Sequence, residues 1–330
     1  MFLRGSWYVA ARAAELSRQP LARMLLGEPV VLYRREDGTP VALEDRCCHR
    51  HLPLSMGKLE GDRLRCGYHG LLFAPDGRCV EIPGQTSVPP QARVRAYPLV
   101  EKFQWIWIWM GAPERADPAL IPNWWWAAHP QWAFTQPEQI YVKCNYQLIA
   151  DNVLDVTHLA YVHAGSIGAS SITEFPATVE REERLVRLTR WIHDRPPPPL
   201  YKKAGGFAGN VDRWQIVEHV PPCFSVNFAG CKDGTRKIDL MALSAPTPET
   251  ERTTHYFFGF VRNFGLGDRA MESIFSGDMV RVFNEDIPVL EAQQRTRDLK
   301  PDAPSIDIKV DAAPMAARRL LQRLVECEKA

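Results

Sequence analysis

Two short runs in the first quarter of the chain each contain one cysteine and one histidine. The runs are RCCHRH, with Cys47 and His49, and CGYHG, with Cys66 and His69. Two thiolates can hold one iron of a [2Fe–2S] cluster while two imidazoles hold the other, which is the Rieske type of cluster. We therefore expect these four residues to bind such a cluster.

A structural zinc site is the alternative, because zinc also accepts two cysteines and two histidines. Zinc ligands usually occur as a cysteine pair and a separate histidine pair. Here each run supplies one ligand of each kind, which favours the cluster. Cys48 and His51 adjoin the proposed ligands, and we interpret them as neighbours of the site.

A second group of metal-binding residue types lies in the run DNVLDVTHLAYVH at residues 151–163. His158 and His163 would lie roughly 140° apart around a straight helix. They could share a metal only if the helix ends or distorts between them, and Ala164-Gly165 indicates a helix end. Two imidazoles and one distant carboxylate could then form a facial triad for non-haem Fe(II).

The carboxylate of this triad must come from elsewhere in the chain. Asp278, Glu285, Asp286 and Glu291 are candidates, and the pattern does not choose among them. Asp155 precedes His158 by three residues, so its carboxylate is expected to accept a hydrogen bond from that ring.

The first third of the chain, which must position the cluster, has the pattern of β-structure. Residues 28–47 and 71–82 each contain two apolar runs joined by a turn signal, which predicts hairpins. In residues 103–111, alternating tryptophans and isoleucines predict a strand covered on both faces. A loop rich in proline and tryptophan follows at 111–132, and we place the domain boundary there, giving domains 1–118 and 119–330.

The second domain mixes helices with antiparallel strands, so the chain is predicted to be α+β. A helix is expected at 145–165 and a loop at 166–180. A long helix at 271–297 must be kinked or interrupted by Pro288, and an amphipathic helix closes the chain at 311–329. Strands are expected at 183–194, 213–229, 236–245 and 253–262, with an irregular excursion at 193–206.

The composition excludes several classes of partner. The 330 residues carry 40 Lys+Arg and 39 Asp+Glu, so bulk charge predicts neither nucleic-acid nor membrane binding. The N-terminus lacks the apolar stretch of a signal peptide, and no run is long enough to span a membrane. We expect a cytoplasmic protein whose six other cysteines are free thiols.

With both groups of metal-binding residues in hand, the chain resembles the Rieske non-haem iron oxygenases over essentially its whole length. The resemblance rests on DRCCHRHLPLSMG, RCGYHG, DNVLDVTHLAYVH, VDRWQ and FNEDIPVLEAQQ. The stretch TPETERTTHYFF at 247–258 is similar to the α-subunit-only branch that includes the vanillate and dicamba O-demethylase oxygenases. The resemblance implies an all-β Rieske domain followed by an antiparallel-sheet helix-grip (START-like) catalytic domain.

The resemblance also implies roles for individual residues. His158, His163 and Asp286 would bind the mononuclear Fe(II), while Asp155 and Asn152 are the candidate catalytic residues beside it. A head-to-tail homotrimer is implied, in which Asp155 joins its own iron site to His69 of the adjacent chain.

The expected activity is that of a terminal monooxygenase component using O₂ to O-demethylate or hydroxylate a methoxybenzoate-like aromatic. GGFAGN at 205–210 lacks the context of a dinucleotide site, so a separate NAD(P)H-dependent reductase of flavin or ferredoxin type must supply electrons. We expect it to dock around Arg46, Arg50, Lys58 and His69. Ring dihydroxylation, N-demethylation and methyl hydroxylation remain alternatives, as do an electron-transfer protein and a ligand-binding module.

The substrate cavity is expected between the sheet of the second domain and the helix at 145–165. Ser244 and Gly277 stand where a member of this branch carries larger residues, so the resemblance leaves the substrate open. The candidate lining residues are Leu148, Val153, Leu159, Trp214, Phe224, Phe228, Phe258 and Phe260, with Ser244, Asn227, His219 and His255 as candidate polar contacts.

Overall fold

The chain divides into two compact units in the computed structural model, which describes residues 2–168 and 174–329. The first unit comprises Phe2–Ile121 with Thr247–Thr250, and the second comprises Pro122–Pro246 with Glu251–Ala330. The boundary that the sequence predicts at residue 118 remains a proposal.

Antiparallel strands build the first unit in three small sheets, ordered β1-β10-β9, β2-β3-β4 and β5-β6-β7-β8. The strands are β1 Trp7–Arg12, β2 Leu21–Leu25, β3 Glu28–Arg34, β4 Pro40–Glu44, β5 Lys58–Glu60, β6 Arg63–Arg65, β7 Leu72–Phe73, β8 Cys79–Glu81, β9 Leu99–Lys102 and β10 Trp105–Trp109.

Both predicted hairpins are confirmed. The turn at 36–38 joins β3 to β4, and the turn at 75–77 joins β7 to β8. Every residue of β10 is buried, and the strand lies between β1 and β9. This confirms that its tryptophan face and its isoleucine face are both covered.

A single antiparallel sheet organises the second unit, in the order β11-β18-β17-β16-β15-β14-β13, with β12 also paired to β18. Its strands are β11 Ala133–Phe134, β12 Glu138–Val142, β13 Thr178–Arg181, β14 Val186–Arg195, β15 Val211–Val220, β16 Phe224–Lys232, β17 Lys237–Pro248 and β18 Thr254–Arg262.

Two strand predictions need correction. Residues 213–229 form the two strands β15 and β16 instead of one, because Pro221 and Pro222 cannot donate to a sheet ladder and the chain turns there. The stretch 166–180, predicted as a loop, already contains the start of β13. Residues 169–173 of that prediction lie outside the described residues.

Helices pack against this sheet, which confirms the predicted α+β architecture. They are α1 Tyr146–Leu154, α2 Pro199–Gly205, α3 Arg269–Ser273, α4 Met279–Leu299 and α5 Ala312–Lys329. The buried face of α5 includes Leu320, which packs with Leu188 and Val217 of the sheet. On α4, Val282 and Leu290 pack with the aromatic residues of β18.

The helix predicted at 145–165 is much shorter. Asn145 begins α1 by accepting a hydrogen bond from the N–H of Gln147 at 3.0 Å, and the helix ends at Leu154. Asp155 leaves helical geometry, with φ −97° and ψ 87°. The helix therefore ends before His158, and not at Ala164-Gly165 as predicted.

The helix predicted at 271–297 is interrupted, but not at Pro288 as predicted. Pro288 lies inside α4, while the irregularity is a π-helical segment at Ile274–Asp278. Residues 193–206, predicted to be irregular, contain α2. Among the described helices none combines the length and apolar character that a membrane span needs.

Candidate active site

The two loops that carry the proposed cluster ligands share one main-chain pattern. The N–H of Cys47 donates to the carbonyl of Leu52 at 2.9 Å, and that of Cys66 donates to Leu71 at 2.8 Å. Four residues after each cysteine, His51 and Gly70 return an N–H to the cysteine carbonyl, with φ of 62° and 73°. The short runs therefore fold into two similar tight turns.

The side chains on these turns separate by ligand type. Cys47 and Cys66 are 2% and 3% exposed, whereas His49 and His69 are exposed and their ring centroids lie 4.5 Å apart. Burial, together with the adjacent Cys66 thiol, raises the pKa of Cys47 to about 11. Buried sulfurs below a pair of surface imidazoles fit the mixed ligation of a Rieske cluster.

Neighbouring residues hold the loops in place. The carboxylate of Asp45 accepts hydrogen bonds from the N–H and the hydroxyl of Ser55, both at 2.6 Å. Arg65 donates to the carbonyl of Gly70 at 2.7 Å. A Cβ on Gly57 would lie 2.0 Å from the carbonyl oxygen of Arg65, so this position accepts only glycine.

In the second unit, His158, His163 and Asp286 converge. Oδ1 of Asp286 lies 3.2 Å from Nε2 of His163 and 3.6 Å from Nε2 of His158. One ligand atom from each residue falls within 4.8 Å of the other two. Two imidazole nitrogens and one carboxylate in this arrangement fit the facial triad of non-haem Fe(II).

The other three candidate acids have different partners. Glu285 contacts the opposite nitrogen of His163, Glu291 accepts from the main chain of Lys143 at 3.1 Å, and Asp278 pairs with Lys203 at 2.9 Å. Asp286 is the acid that faces both rings, as the family resemblance implies.

Each member of the triad also has a contact that fixes its orientation. Nδ1 of His163 lies 2.6 Å from Oε2 of Glu285. The side-chain N–H of Asn152 donates to Oδ1 of Asp286 at 3.0 Å. These contacts leave Nε2 of His163 and the carboxylate of Asp286 directed toward a common point.

The contact to His158 differs from the prediction. Its Nδ1 contacts the main-chain carbonyl of Asp155, and not the carboxylate. Because the chain turns at Asp155, the carboxylate instead accepts from the N–H of Thr157 at 2.8 Å. Asp155 therefore contacts His158 through its backbone carbonyl.

The electrostatics of His163 reflect its two acidic neighbours. Burial disfavours the charged ring, but the hydrogen bonds and charges of Asp286 and Glu285 outweigh burial and raise the pKa of His163. A bound cation would take the place of that proton, since a metal ligand must be the neutral imidazole.

A cavity of about 930 Å³ of empty space, part of it open to solvent, borders the triad. Asn152, His158, His163 and Asp286 line one part of it. The remaining lining residues are Val153, Val156, Leu159, Ile167, Tyr201, Arg213, Trp214, Gln215, Asn227, Ala229, Gly230, Leu240, Ala242, Ser244, Tyr256, Met279, Val282 and Phe283.

Several residues expected in this lining lie elsewhere. On β16, alternation places Asn227 and Ala229 toward the cavity and Phe224 and Phe228 on the other face. There Phe224 meets Trp124 and Phe228 meets Trp126, with ring centroids 6.1 and 5.2 Å apart. These two phenylalanines therefore do not reach the cavity.

Trp214 borders the cavity, but its indole lies on the opposite face of β15 from Arg213 and Gln215. It packs against Trp191, with centroids 5.7 Å apart, and lies where a Cβ on Gly230 would be.

The other residues that were wrongly predicted to line the cavity are buried in the core. Leu148, Phe258 and Phe260 belong to the core between β18 and α4, where Phe258 stacks on Phe283 at 4.4 Å. His219 is buried against the hydroxyl of Ser225, and His255 contacts Gln139.

Sequence reasoning missed some lining residues, notably Tyr201, Arg213, Gln215, Tyr256 and Phe283. For Arg213 and Gln215 a signal was present, because they alternate with Trp214 along a strand. Both residues are buried despite their charge and polarity.

Comparison with known proteins agrees with this geometry. Residues 6–98 match the Rieske [2Fe-2S] domain, and residues 142–327 match the vanillate O-demethylase oxygenase C-terminal domain. The chain is 43% identical to the putative toluene-4-sulfonate monooxygenase system iron-sulfur subunit TsaM2 of Comamonas testosteroni, over 99% of this chain and 98% of that one.

Two further similarities cover the whole chain. It is 35% identical to the vanillate O-demethylase oxygenase subunit of a Pseudomonas species, over 100% of this chain and 96% of that one. Its structure matches that of dicamba monooxygenase bound to 3,6-dichlorosalicylic acid with a TM-score of 0.93 and 34% identity, covering 100% and 99% of the two chains. The chain thus belongs to the Rieske non-haem iron oxygenases, as an oxygenase component with a Rieske cluster and a mononuclear iron site.

Proposed function

We propose that this oxygenase oxidises the methyl or methoxy carbon of a small aromatic substrate. The observation that carries the proposal is that His158, His163 and Asp286 converge on the wall of a largely apolar cavity. The relatives named vanillate O-demethylase and toluene-4-sulfonate monooxygenase act on compounds of this kind. For a methoxy group, O₂, two electrons and two protons convert the ether to a phenol, formaldehyde and water.

In this proposal His158, His163 and Asp286 hold the iron, which when bound supplies O₂ activation. Glu285, Asn152 and the carbonyl of Asp155 keep the three ligands oriented. Leu159, Tyr256 and Phe283 line the cavity and would hold the aromatic ring while keeping bulk water away from it.

Electrons would enter through the two ligand loops of the first unit, which carry the proposed cluster ligands Cys47, His49, Cys66 and His69. Arg46, Arg50 and Lys58 lie within or just after the first of the two ligand loops, and all three are exposed. Tyr68 and Met56 in the same loops are 63% and 68% exposed. Arg46 and Lys58 pair with Glu44 and Glu60, so this exposed surface combines charged and apolar groups. Such a surface suits a transient redox partner, and we propose it as the docking site of a separate NAD(P)H-dependent reductase.

Charge reversal tests this docking site. Arg50→Glu with Lys58→Glu should slow the reductase-coupled rate at least several-fold and leave the cluster spectrum unchanged. The same substitutions should not alter turnover when a small chemical reductant supplies the electrons. An unchanged coupled rate would remove this surface from consideration.

We further propose that the chain acts as a cytoplasmic head-to-tail homotrimer. Asp155 and His158 also line a second depression, more polar than the substrate cavity, with Asp151, Arg297 and Arg318. A neighbouring copy could place its His69 there beside Asp155. This contact joins two different surfaces of the chain. Copies that assemble in this way form a closed ring only when several of them take part. Mass measurement in solution should find three chains per particle.

Product analysis tests the proposed reaction. The iron-loaded enzyme, a reductase, NADH and O₂ would be incubated with methoxybenzoates and with methyl-substituted aromatic acids and sulfonates. Formaldehyde with a phenol indicates O-demethylation, and a benzylic alcohol indicates methyl hydroxylation. A ring diol from the same substrates would contradict the proposal, and Asp286→Ala serves as the inactive control.

A further inference from the structure

Three polar side chains on the sheet side of the cavity have atoms without hydrogen-bond partners. They are Nε and Nη2 of Arg213, Oε1 of Gln215 and Oδ1 of Asn227, and all are buried atoms. Arg213 itself is 3% exposed and Gln215 is 9% exposed. All three residues line the cavity.

The strand register places these groups together. Arg213 and Gln215 alternate along β15 and so lie on one face of it. Across the ladder Gln215 pairs with Ala229 of the neighbouring strand β16, and Asn227 of β16 pairs with Val217 of β15. The three side chains therefore lie in a row on the cavity face of the sheet, with Gln215 between Arg213 and Asn227.

Arg213 also has no protein counter-charge in the part of the chain that the structure describes, where it forms no ion pair. Its ionisable neighbours include Tyr201 and Cys231. Burial raises the pKa of Cys231 to about 12 and raises that of Tyr201 as well, so both are neutral near pH 7. The guanidinium is thus a buried charge without an anion.

Two other buried arginines, Arg190 and Arg262, have structural roles and differ from Arg213 because they donate to acceptors in the protein. Arg190 donates to the Val156 carbonyl at 3.5 Å and to the Thr157 hydroxyl at 3.3 Å. Arg262 donates to the Phe264 carbonyl at 2.9 Å and pairs with Glu272. Arg213 has no such acceptor among the described residues. Since a buried charge without a partner is unfavourable, its acceptor should be a ligand.

We propose that Arg213, assisted by Gln215 and Asn227, binds the anionic group of the aromatic substrate, a sulfonate or a carboxylate. The guanidinium fork matches two oxygens of either group. A half-turn of either neighbouring amide would exchange its unpaired oxygen for its NH₂ group, which can donate to the anion. Holding the ring at this point would direct another carbon toward His158 and His163. This inference rests on the proposed function and deepens it by naming the substrate class.

Calorimetric titration of the iron-loaded holoenzyme, without reductase, measures this binding apart from turnover. The probes are toluene-4-sulfonate, 4-methylbenzoate and the neutral 4-methylanisole. Arg213→Met should weaken binding of the preferred anion by about 10- to 100-fold and change 4-methylanisole binding by less than about twofold. Comparison of the two anions shows which group the site prefers. Arg213→Lys should give an intermediate loss, because it keeps the charge without the fork.

Arg187→Met is the matched control, since Arg187 lies on the adjacent strand β14 and pairs with Glu218 at 2.9 Å outside the cavity. It should leave all three affinities unchanged. Without ligand, Arg213→Met should melt at the same temperature as the wild type or higher, whereas a structural arginine would lower the melting temperature on removal.

The inference is overturned if Arg213→Met and Arg213→Lys bind both anions as the wild type does, or if the neutral probe loses affinity equally. These outcomes are distinct from failure of the proposed function. Tight, Arg213-dependent binding without any oxidised product would contradict only the proposed reaction, and turnover of 4-methylanisole with no preference for an anion would contradict only the present inference.

Discussion

Nδ1 of His163 lies 2.6 Å from Oε2 of Glu285, and the hydroxyl of Ser166 donates to the same oxygen at 3.1 Å. Glu285 thereby fixes the plane of the ring and leaves Nε2 facing Asp286 at 3.2 Å. Two consecutive acids of α4 therefore have different tasks. Asp286 offers a ligand atom, while Glu285 orients the histidine that shares the metal.

Glu285→Gln should weaken iron binding in the second unit. The amide keeps the shape of the side chain but loses the charge that orients the imidazole, so affinity should fall about 10- to 100-fold. Iron content after dialysis against a weak chelator measures the loss, and the cluster absorbance should stay unchanged. Asp278→Asn, on the surface near the start of α4, is the control and should retain all of its iron. Full retention by Glu285→Gln would argue against the orienting role.

Asp155→Asn should keep both metal centres and stop turnover. The amide oxygen can still accept from Thr157, and the main-chain carbonyl that contacts His158 is unaltered. The negative charge proposed to join two subunits is lost. In a single-turnover experiment the reduced cluster of the variant should remain reduced after addition of substrate and O₂. Wild-type activity in this variant would exclude the bridging role.

Phe283 and Phe228 should respond differently to the same truncation. Phe283 lines the cavity, and Phe228 lies on the other face of the sheet. Phe283→Ala should lower kcat/KM more than tenfold, together with a loss of about 3 kcal/mol of stability. Phe228→Ala should also destabilise the protein but keep kcat/KM within about twofold. Similar changes of kcat/KM in both variants would contradict the assigned faces.

His219 should make stability depend on pH. Burial lowers its pKa from 6.5 to about 4, so between these values the unfolded chain binds more protons than the folded one. Its contribution is fully present above pH 6.5 and is lost as the pH falls toward 4. Between pH 7 and pH 5 the wild type should lose about 2 kcal/mol more than His219→Gln. Denaturant titrations at both pH values measure this, with the exposed His193→Gln as control. Equal losses in wild type and His219→Gln would refute it.

The proposed cluster ligands could be predicted because their geometry is local. Each cysteine and histidine pair lies within one tight turn, so spacing alone indicated the ligand set. The acid of the iron site was different. Asp286 and Glu285 are adjacent in sequence, and only the tertiary position of α4 determines which of them faces both histidines.

The end of α1 and the lining of the cavity could not be predicted from the same patterns. Apolar spacing continues past Leu154 without a glycine or proline, so no local signal marks the turn at Asp155. For the cavity, aromatic content suggested Phe224 and Phe228, but strand alternation places the polar Asn227 there instead. Arg213 is buried because of the way α2 and the sheet pack together. The amino-acid composition does not predict that packing.

Iron content and electron paramagnetic resonance of the wild type and of Asp286→Ala test the central claim most directly. The wild type should contain three irons per chain, two in a cluster with the rhombic signal of histidine ligation and one at the triad. Asp286→Ala should retain the cluster signal and two irons. Two irons in the wild type, or three in Asp286→Ala, would contradict the account.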